Sequence, residues 1–154
     1  MKAIVVDLDG TLCNTTHREH LIGQWDEFNA GCKDDVSHPD VSWLVKFLCD
    51  LNLGDLELIG CSGRSEEHRT ATERWLMDND LFLDFVLMRP AFDFRSDAEV
   101  KVQLLQDWHD STEEAEAGLT LQDRVLFVLE DRDKVVEAWR NLGLNCWQVR
   151  EGAF

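Results

Sequence analysis

Hydrophobic positions along the chain switch between short continuous runs and helical spacing. Ala3-Ile4-Val5-Val6 is a β-branched run too short for a helix and too apolar for an open sheet face, so it predicts a buried parallel strand. Asp7-Leu8-Asp9-Gly10-Thr11 follows as a tight turn. Cys13 to about Val36 is polar and irregular, with an apolar set at Leu21, Ile22, Trp25 and Phe28, and reads as an insert over whatever the turn presents. Val41, Leu44, Val45, Leu48 and Leu51 recur at helical spacing between a Ser37 N-cap with Pro39 in the first turn and Gly54 at the end. Leu56–Cys61 predicts a second strand, Ser62-Gly63-Arg64 a turn, and 65–78 a helix capped by Ser65.

A shorter apolar run, Leu81–Met88, predicts a third strand stopped by Pro90, with Phe92–Ser96 as a loop. Val100, Leu104, Leu105 and Trp108 share one face of a helix from Ala98 to about His109, and the acidic stretch Glu113–Gly118 reads as solvated. Arg124–Leu129 is a buried strand with Glu130-Asp131 at its carboxyl end. Val135, Ala138, Trp139 and Leu142 make the last helical stripe, and Asn145–Val149 the fifth strand. Strands alternating with helices imply an α/β fold: a three-layer, Rossmann-like parallel five-stranded sheet in a single domain, 1–154, with a small cap insert at about 13–36.

Composition narrows the partners. A formal charge of −16 from 31 acidic and 15 basic residues repels polyanions, so no extended nucleic-acid surface is expected. Five cysteines without a Cys-x-x-Cys pair argue for reduced thiols and a cytoplasmic location. The apolar start is too short for a signal core or a membrane span. His17, His20 and Cys32 form only a loose zinc-like set without ligand-pair spacing. Trp75, Trp108 and Trp139 fall on apolar helix faces and read as core. Trp25 in the insert reads either as packing beneath it or as an aromatic that stacks on a base.

The polar residues gather where an open α/β sheet places its ligand crevice, at the carboxyl ends of strands. Asp7 and Asp9 follow strand one, Ser62 and Arg64 strand two, and Glu130-Asp131 strand four, with Lys101 near a helix start. A hard cation such as Mg²⁺ needs only one or two protein carboxylates, here Asp7 and Asp131, plus substrate phosphate. A carboxylate beside it can attack phosphorus, a second can protonate the leaving oxygen, and a lysine can neutralise surplus charge.

This order of motifs, Asp-x-Asp-Gly-Thr, Ser-Gly-Arg, a lone Lys and an acidic pair, resembles the haloacid dehalogenase superfamily of aspartate-nucleophile phosphatases across essentially the whole chain. More closely it is similar to the 3′-phosphatase domain of the polynucleotide kinase-phosphatases. That likeness rests on Trp25-Asp26, Asp35-Val36 with Pro39, Ser62-Gly63-Arg64, Asp97 four residues before Lys101, and Glu130-Asp131-Arg132. It extends through Val135-Val136-Glu137-x-Trp139-Arg140 to Cys146-Trp147-Gln148-Val149 with Gly152 and Phe154.

The resemblance implies that Asp7 is the nucleophile and Asp9 the acid and then the base. Mg²⁺ would be held by the side chains of Asp7 and Asp131 and the carbonyl of Asp9. Ser62 and Lys101 would hold phosphoryl oxygens, with Thr11 and Gly63 beside them. Arg18 and Arg64 would contact or frame the phosphate, and Asp97 would orient the lysine. Glu130 departs from the family's usual Asp, and its role is left open. No Gly-x-x-x-x-Gly-Lys-Ser/Thr loop occurs, so the kinase half is missing from this sequence.

The expected activity is removal of 3′-phosphates from polynucleotide ends or nucleotides. A 5′-nucleotidase or small-molecule phosphatase on the same scaffold is the alternative. A non-catalytic receiver or binding module would share the acidic site but would not need Asp9 as an acid.

Overall fold

The computed structural model describes residues 1–51 and 53–152; Phe154, quoted above, lies outside them. Strand β1 (Lys2–Val6) leads through the Asp7–Thr11 turn into a short strand β2 (Cys13–Asn14), then 3₁₀ turns flanking helix α1 (Trp25–Ala30), and strand β3 (Val36–Ser37). Helix α2 (Pro39–Asp50), strand β4 (Leu56–Ser65), helix α3 (Arg69–Asp78), strand β5 (Phe85–Arg89) and helix α4 (Asp97–Asp110) follow. Two short helices, α5 (Glu113–Glu116) and α6 (Leu121–Arg124), precede strand β6 (Val125–Arg132), helix α7 (Asp133–Asn141) and strand β7 (Cys146–Gly152).

The main sheet is parallel throughout, in the order β5-β4-β1-β6-β7, and β2 pairs antiparallel with β3. β1 is its centre. Ala3 and Val5 face one core with Leu105 and Trp108 of α4 and Val135, Val136 and Trp139 of α7. Ile4 and Val6 face the other, with Val41 and Val45 of α2 and Trp75 and Leu76 of α3. Both faces of the sheet are covered, giving the expected three-layer α/β architecture.

Several local boundaries differ from the pattern-based expectation. Ser62-Gly63-Arg64 is not a turn: β4 runs on to Ser65, with a register break between Ser62 and Ser65. β6 likewise continues to Arg132 past a break at Glu130, and β7 to Gly152. Leu81 belongs to the end of α3: Asp80 takes the left-handed conformation (φ 55°) and the Leu81 amide donates to the Leu76 carbonyl at 2.9 Å. His38, rather than Ser37, occupies the N-cap of α2, and Ser65 caps a 3₁₀ turn before α3 by accepting from the Glu67 amide. The acidic stretch after α4 forms the single turn α5. Ser96 and Glu99 form a reciprocal capping box that fixes the start of α4 and so the place of Lys101 one turn later.

Candidate active site

The carboxyl ends of β1, β4 and β6 meet at Asp7, Ser62 and Glu130-Asp131, and α4 delivers Lys101 into the same spot. Burial there is nearly complete: Asp7, Ser62, Arg64, Lys101, Glu130 and Asp131 are all buried. Lys101 Nζ lies 2.6 Å from Asp7 Oδ1, 2.9 Å from Glu130 Oε2 and 3.3 Å from Asp97 Oδ2. Asp97 is gripped in turn by Arg89 at 3.3 Å and Arg132 at 3.0 Å. Glu130, whose role the sequence left open, accepts from Lys101 with one oxygen and from the Asp131 and Arg132 amides with the other.

Asp7, Glu130 and Asp131 each offer an oxygen to one group whose members lie within 4.8 Å of one another. Asp7 Oδ2 is buried with no hydrogen-bond partner among the described residues. Such an orphaned carboxylate oxygen is costly unless a cation meets it. Burial first, then the neighbouring negative charges, pushes Asp7 up to about 8 and Asp131 up to about 7. This donor set fits a hard divalent cation.

Glycines make the close approach possible. A Cβ on Gly10, which sits at φ 89°, would lie 2.1 Å from Asp131 Oδ2, and one on Gly152 would lie 2.5 Å from the same atom. At Gly63 a Cβ would lie 1.8 Å from Asp97 Oδ1. Any side chain at these positions displaces an acid of the site.

Asp9, two residues from Asp7, sees the opposite field. Arg64 contacts its carboxylate through Nε at 3.0 Å and Nη2 at 2.5 Å, and Arg18 through Nη2 at 2.5 Å. Burial works against the charge, but these two guanidiniums hold Asp9 well below the usual carboxylate range. Both arginines also bind Asp35, whose side chain is buried: Arg18 at 2.7 Å and 2.5 Å, and Arg64 at 3.0 Å. His17 reaches Asp35 at 2.8 Å, and Trp75 Nε1 donates to its carbonyl at 2.7 Å. Asp9, Cys13 and Asp35 also cluster, but cations of the protein already occupy the two carboxylates.

A cavity of about 590 Å³ opens over Asp7, Asp9, Gly63, Arg64 and Lys101, within the usual size of a small-molecule site. The insert supplies one wall with Trp25, Asp26, Phe28 and Asn29. The segment from Arg89 to Asp97 supplies another. Ser62, Thr11 and Arg18 stand behind this lining: Ser62 Oγ accepts from the Arg64 amide at 3.2 Å, and Thr11 Oγ1 donates to Asp131 at 3.5 Å. Trp25 is half exposed, braced edge-on by Phe28, which carries the Arg18 guanidinium 4.1 Å from its ring centre. His17, His20 and Cys32 do not converge as a metal group among the described residues. The sequence offers Arg89 and Arg132 only as cations near the site for further substrate phosphates and gives Asp35 no role; the structure pairs Arg89 and Arg132 with Asp97, and Asp35 with Arg18 and Arg64.

No helix among the described residues is long and apolar enough to cross a membrane.

Comparison with known proteins agrees with this geometry. A chain in a structure titled "Structure of the Pnkp1/Rnl/Hen1 RNA repair complex" is 30% identical with a TM-score of 0.80, over 99% of this chain and 43% of that one. A second, from "Structure of Pnkp1/Rnl/Hen1 complex", is 30% identical with a TM-score of 0.77, over 99% and 47%. This chain therefore spans under half the length of both. A putative phosphatase from Clostridium difficile shares the fold at 14% identity and a TM-score of 0.66, over 94% of this chain and 83% of that one. The family model described as the polynucleotide kinase PNKP phosphatase domain matches residues 1–154, and the chain belongs to that family of haloacid dehalogenase-type phosphatase domains.

Proposed function

We propose that this chain is a Mg²⁺-dependent phosphomonoesterase that removes 3′-phosphates from polynucleotide ends or nucleotides through a phosphoaspartate at Asp7. The supporting observation is that the unpartnered Asp7 Oδ2, the Asp131 carboxylate and Lys101 Nζ, 2.6 Å from Asp7 Oδ1, meet beneath the cavity that Asp7 and Asp9 line together. Burial holds a proton on Asp7 to higher pH, and a cation meeting its Oδ2 would ionise it as the nucleophile.

An Asp7 oxygen attacks phosphorus, the bond from phosphorus to the ribose oxygen breaks, and the leaving oxygen takes a proton from Asp9. Water then attacks the phosphoaspartate, Asp9 takes its proton, and inorganic phosphate leaves with Asp7 restored. Asp7, Asp131 and the Asp9 carbonyl would hold Mg²⁺, which would supply positive charge to the phosphoryl oxygens and the nucleophile. Lys101 shields Asp7 from Glu130 and Asp97 and offers the phosphoryl group a cation, with Ser62, Gly63 and Thr11 framing it. The Arg18 and Arg64 clamp keeps Asp9 ionised and weakens it as a base, and as an acid it must carry a proton, so both roles need the clamp loosened. The arriving phosphate dianion competes for the same guanidiniums and loosens that clamp.

The test is phosphate release from oligonucleotides bearing a 3′- or a 5′-phosphate and from the matching mononucleotides, with Mg²⁺ and with chelator. Mg²⁺-dependent release from 3′ ends, lost in Asp7→Asn, is expected. Preference for 5′-phosphates or for small esters would replace the substrate assignment by a 5′-nucleotidase or small-molecule phosphatase. Stable phosphorylation without turnover on any ester would make the chain a receiver-like module.

A further inference from the structure

The most exposed aromatic side chains of the fold stand at the mouth of the catalytic cavity. Phe92 is 83% and Phe94 91% exposed, on the loop between β5 and α4, and both line the same cavity as Trp25 of the insert. Isolated exposed apolar residues are ordinary, but here three rings border one opening.

The loop is rigidly built. Arg89 donates to the carbonyls of Gly63 at 2.8 Å, Asp93 at 3.1 Å and Arg95 at 2.8 Å, so one guanidinium ties the loop to β4. The Asp93 carboxylate holds both the Arg95 amide and its guanidinium. Phe92 itself sits at φ +64°, a conformation that Gly or Asn adopts at lower cost than a bulky ring.

Resting on the phosphatase reading above, we infer that Phe92 and Phe94, which line the cavity together with Trp25, form a stacking platform for the unpaired terminal bases of a single-stranded substrate, whose end phosphate then reaches Asp7. Flat rings bind any base through its face, but only a base not enclosed in a duplex offers one. Charge supports stacking as the main source of affinity. Around the mouth Arg89 and Arg132 are engaged by Asp97, and Arg95 by Asp93, while Asp26 and Glu67 add negative charge. Phosphates beyond the terminal one therefore meet few cations not already paired, and binding releases few counterions.

The probe is a short 3′-hydroxyl oligonucleotide with 2-aminopurine near its end, titrated with the full chain so that no turnover is needed. The single strand is expected to bind with quenched fluorescence, and the same end in a blunt duplex is not. Phe92→Ala with Phe94→Ala should weaken binding by about tenfold to hundredfold, and Phe94→Trp should retain it. The log-log salt slope should be no steeper than about −1. Unchanged affinity in the double variant, equal binding of blunt duplex, a slope of several phosphates, or no binding at all would each overturn the platform. Phosphate release from the 3′-phosphorylated strand is measured in parallel. Stacking without release sinks the phosphatase reading and leaves the platform standing; release without stacking does the reverse.

Discussion

Lys101→Met tests the charge balance of the site most directly, because methionine keeps the apolar stem and removes only the cation. In the native protein Nζ is the partner of Asp7 Oδ1 at 2.6 Å and Glu130 Oε2 at 2.9 Å, with Asp97 at 3.3 Å. After the substitution Asp97 keeps Arg89 and Arg132, and Glu130 keeps two backbone amides through its other oxygen. Asp7 fares worst, since its second oxygen already lacks a partner. Removing one member of a buried ion pair costs about 3–5 kcal/mol. In a domain of this size that corresponds to a fall in Tm of roughly 6–20 °C. The loss has a pH signature. Without the cation the folded carboxylates hold their protons to higher pH than the native ones, so the variant's stability falls more steeply as pH rises. Urea unfolding in chelator at about pH 5 and pH 8 should show the larger deficit at pH 8. A deficit under about 1 kcal/mol that is flat with pH would show that the buried carboxylates do not depend on Lys101.

In metal-free native protein, Asp7 and Asp131 rise from the ordinary 3.8 to about 8 and about 7. The folded state therefore holds more protons than the unfolded one between about pH 4 and 8, and stability falls as pH rises through that window. Mg²⁺ should raise Tm more at pH 8 than at pH 5, and an equal increment at both would count against ionised Asp7 and Asp131 as its ligands. Gly63→Ala drives a Cβ to 1.8 Å from Asp97 Oδ1. It should cost about 1–3 kcal/mol by overpacking and lower kcat/KM by displacing Asp97 from Lys101; wild-type kinetics would show that Asp97 need not stay there. Asp35→Ala leaves Asp9 as the carboxylate that Arg18 and Arg64 must share, beside their bonds to the Phe28 carbonyl and the Thr72 hydroxyl, with an expected loss of about 3–5 kcal/mol by chemical denaturation. A loss within 0.5 kcal/mol, the ordinary range for surface substitutions, would mean that Asp35 is not the anchor of the clamp.

The sheet was legible because its central strand β1 is apolar on both faces, as a strand covered on both sides is: Ala3 and Val5 enter one core, Ile4 and Val6 the other. The same signal stops short at the site. β4 and β6 continue through Ser62-Gly63-Arg64 and Glu130-Asp131-Arg132, where ion pairs and backbone hydrogen bonds replace apolar packing, so the hydrophobic pattern ends before the strand does. Leu81 misled for the converse reason: an apolar residue that seals the end of α3 looks like the start of a strand. Motif order could nominate Asp7, Asp9, Lys101 and Asp131, which the structure brings to one end of the sheet. It could not assign Asp35 a role, since its partners Arg18 and Arg64 lie 17 and 29 residues away and no local spacing encodes the contact.

The insert matters to the site through electrostatics as much as through shape. Strand ends alone would leave Asp7 and Asp9 as two acids in one crowded turn, each raising the other's affinity for protons. Asp7 remains in that situation, among Glu130 and Asp131, relieved in part by Lys101. Asp9 escapes it because Arg18 comes from the insert and Arg64 from the extension of β4, and Asp35 at the insert's far end holds both in place. The difference in electrostatic surroundings between Asp7 and Asp9 is therefore not a property of the Asp-x-Asp turn. It is set by which segments close over each of them, and the wall that carries Trp25 belongs to the same insert that sets the charge of Asp9.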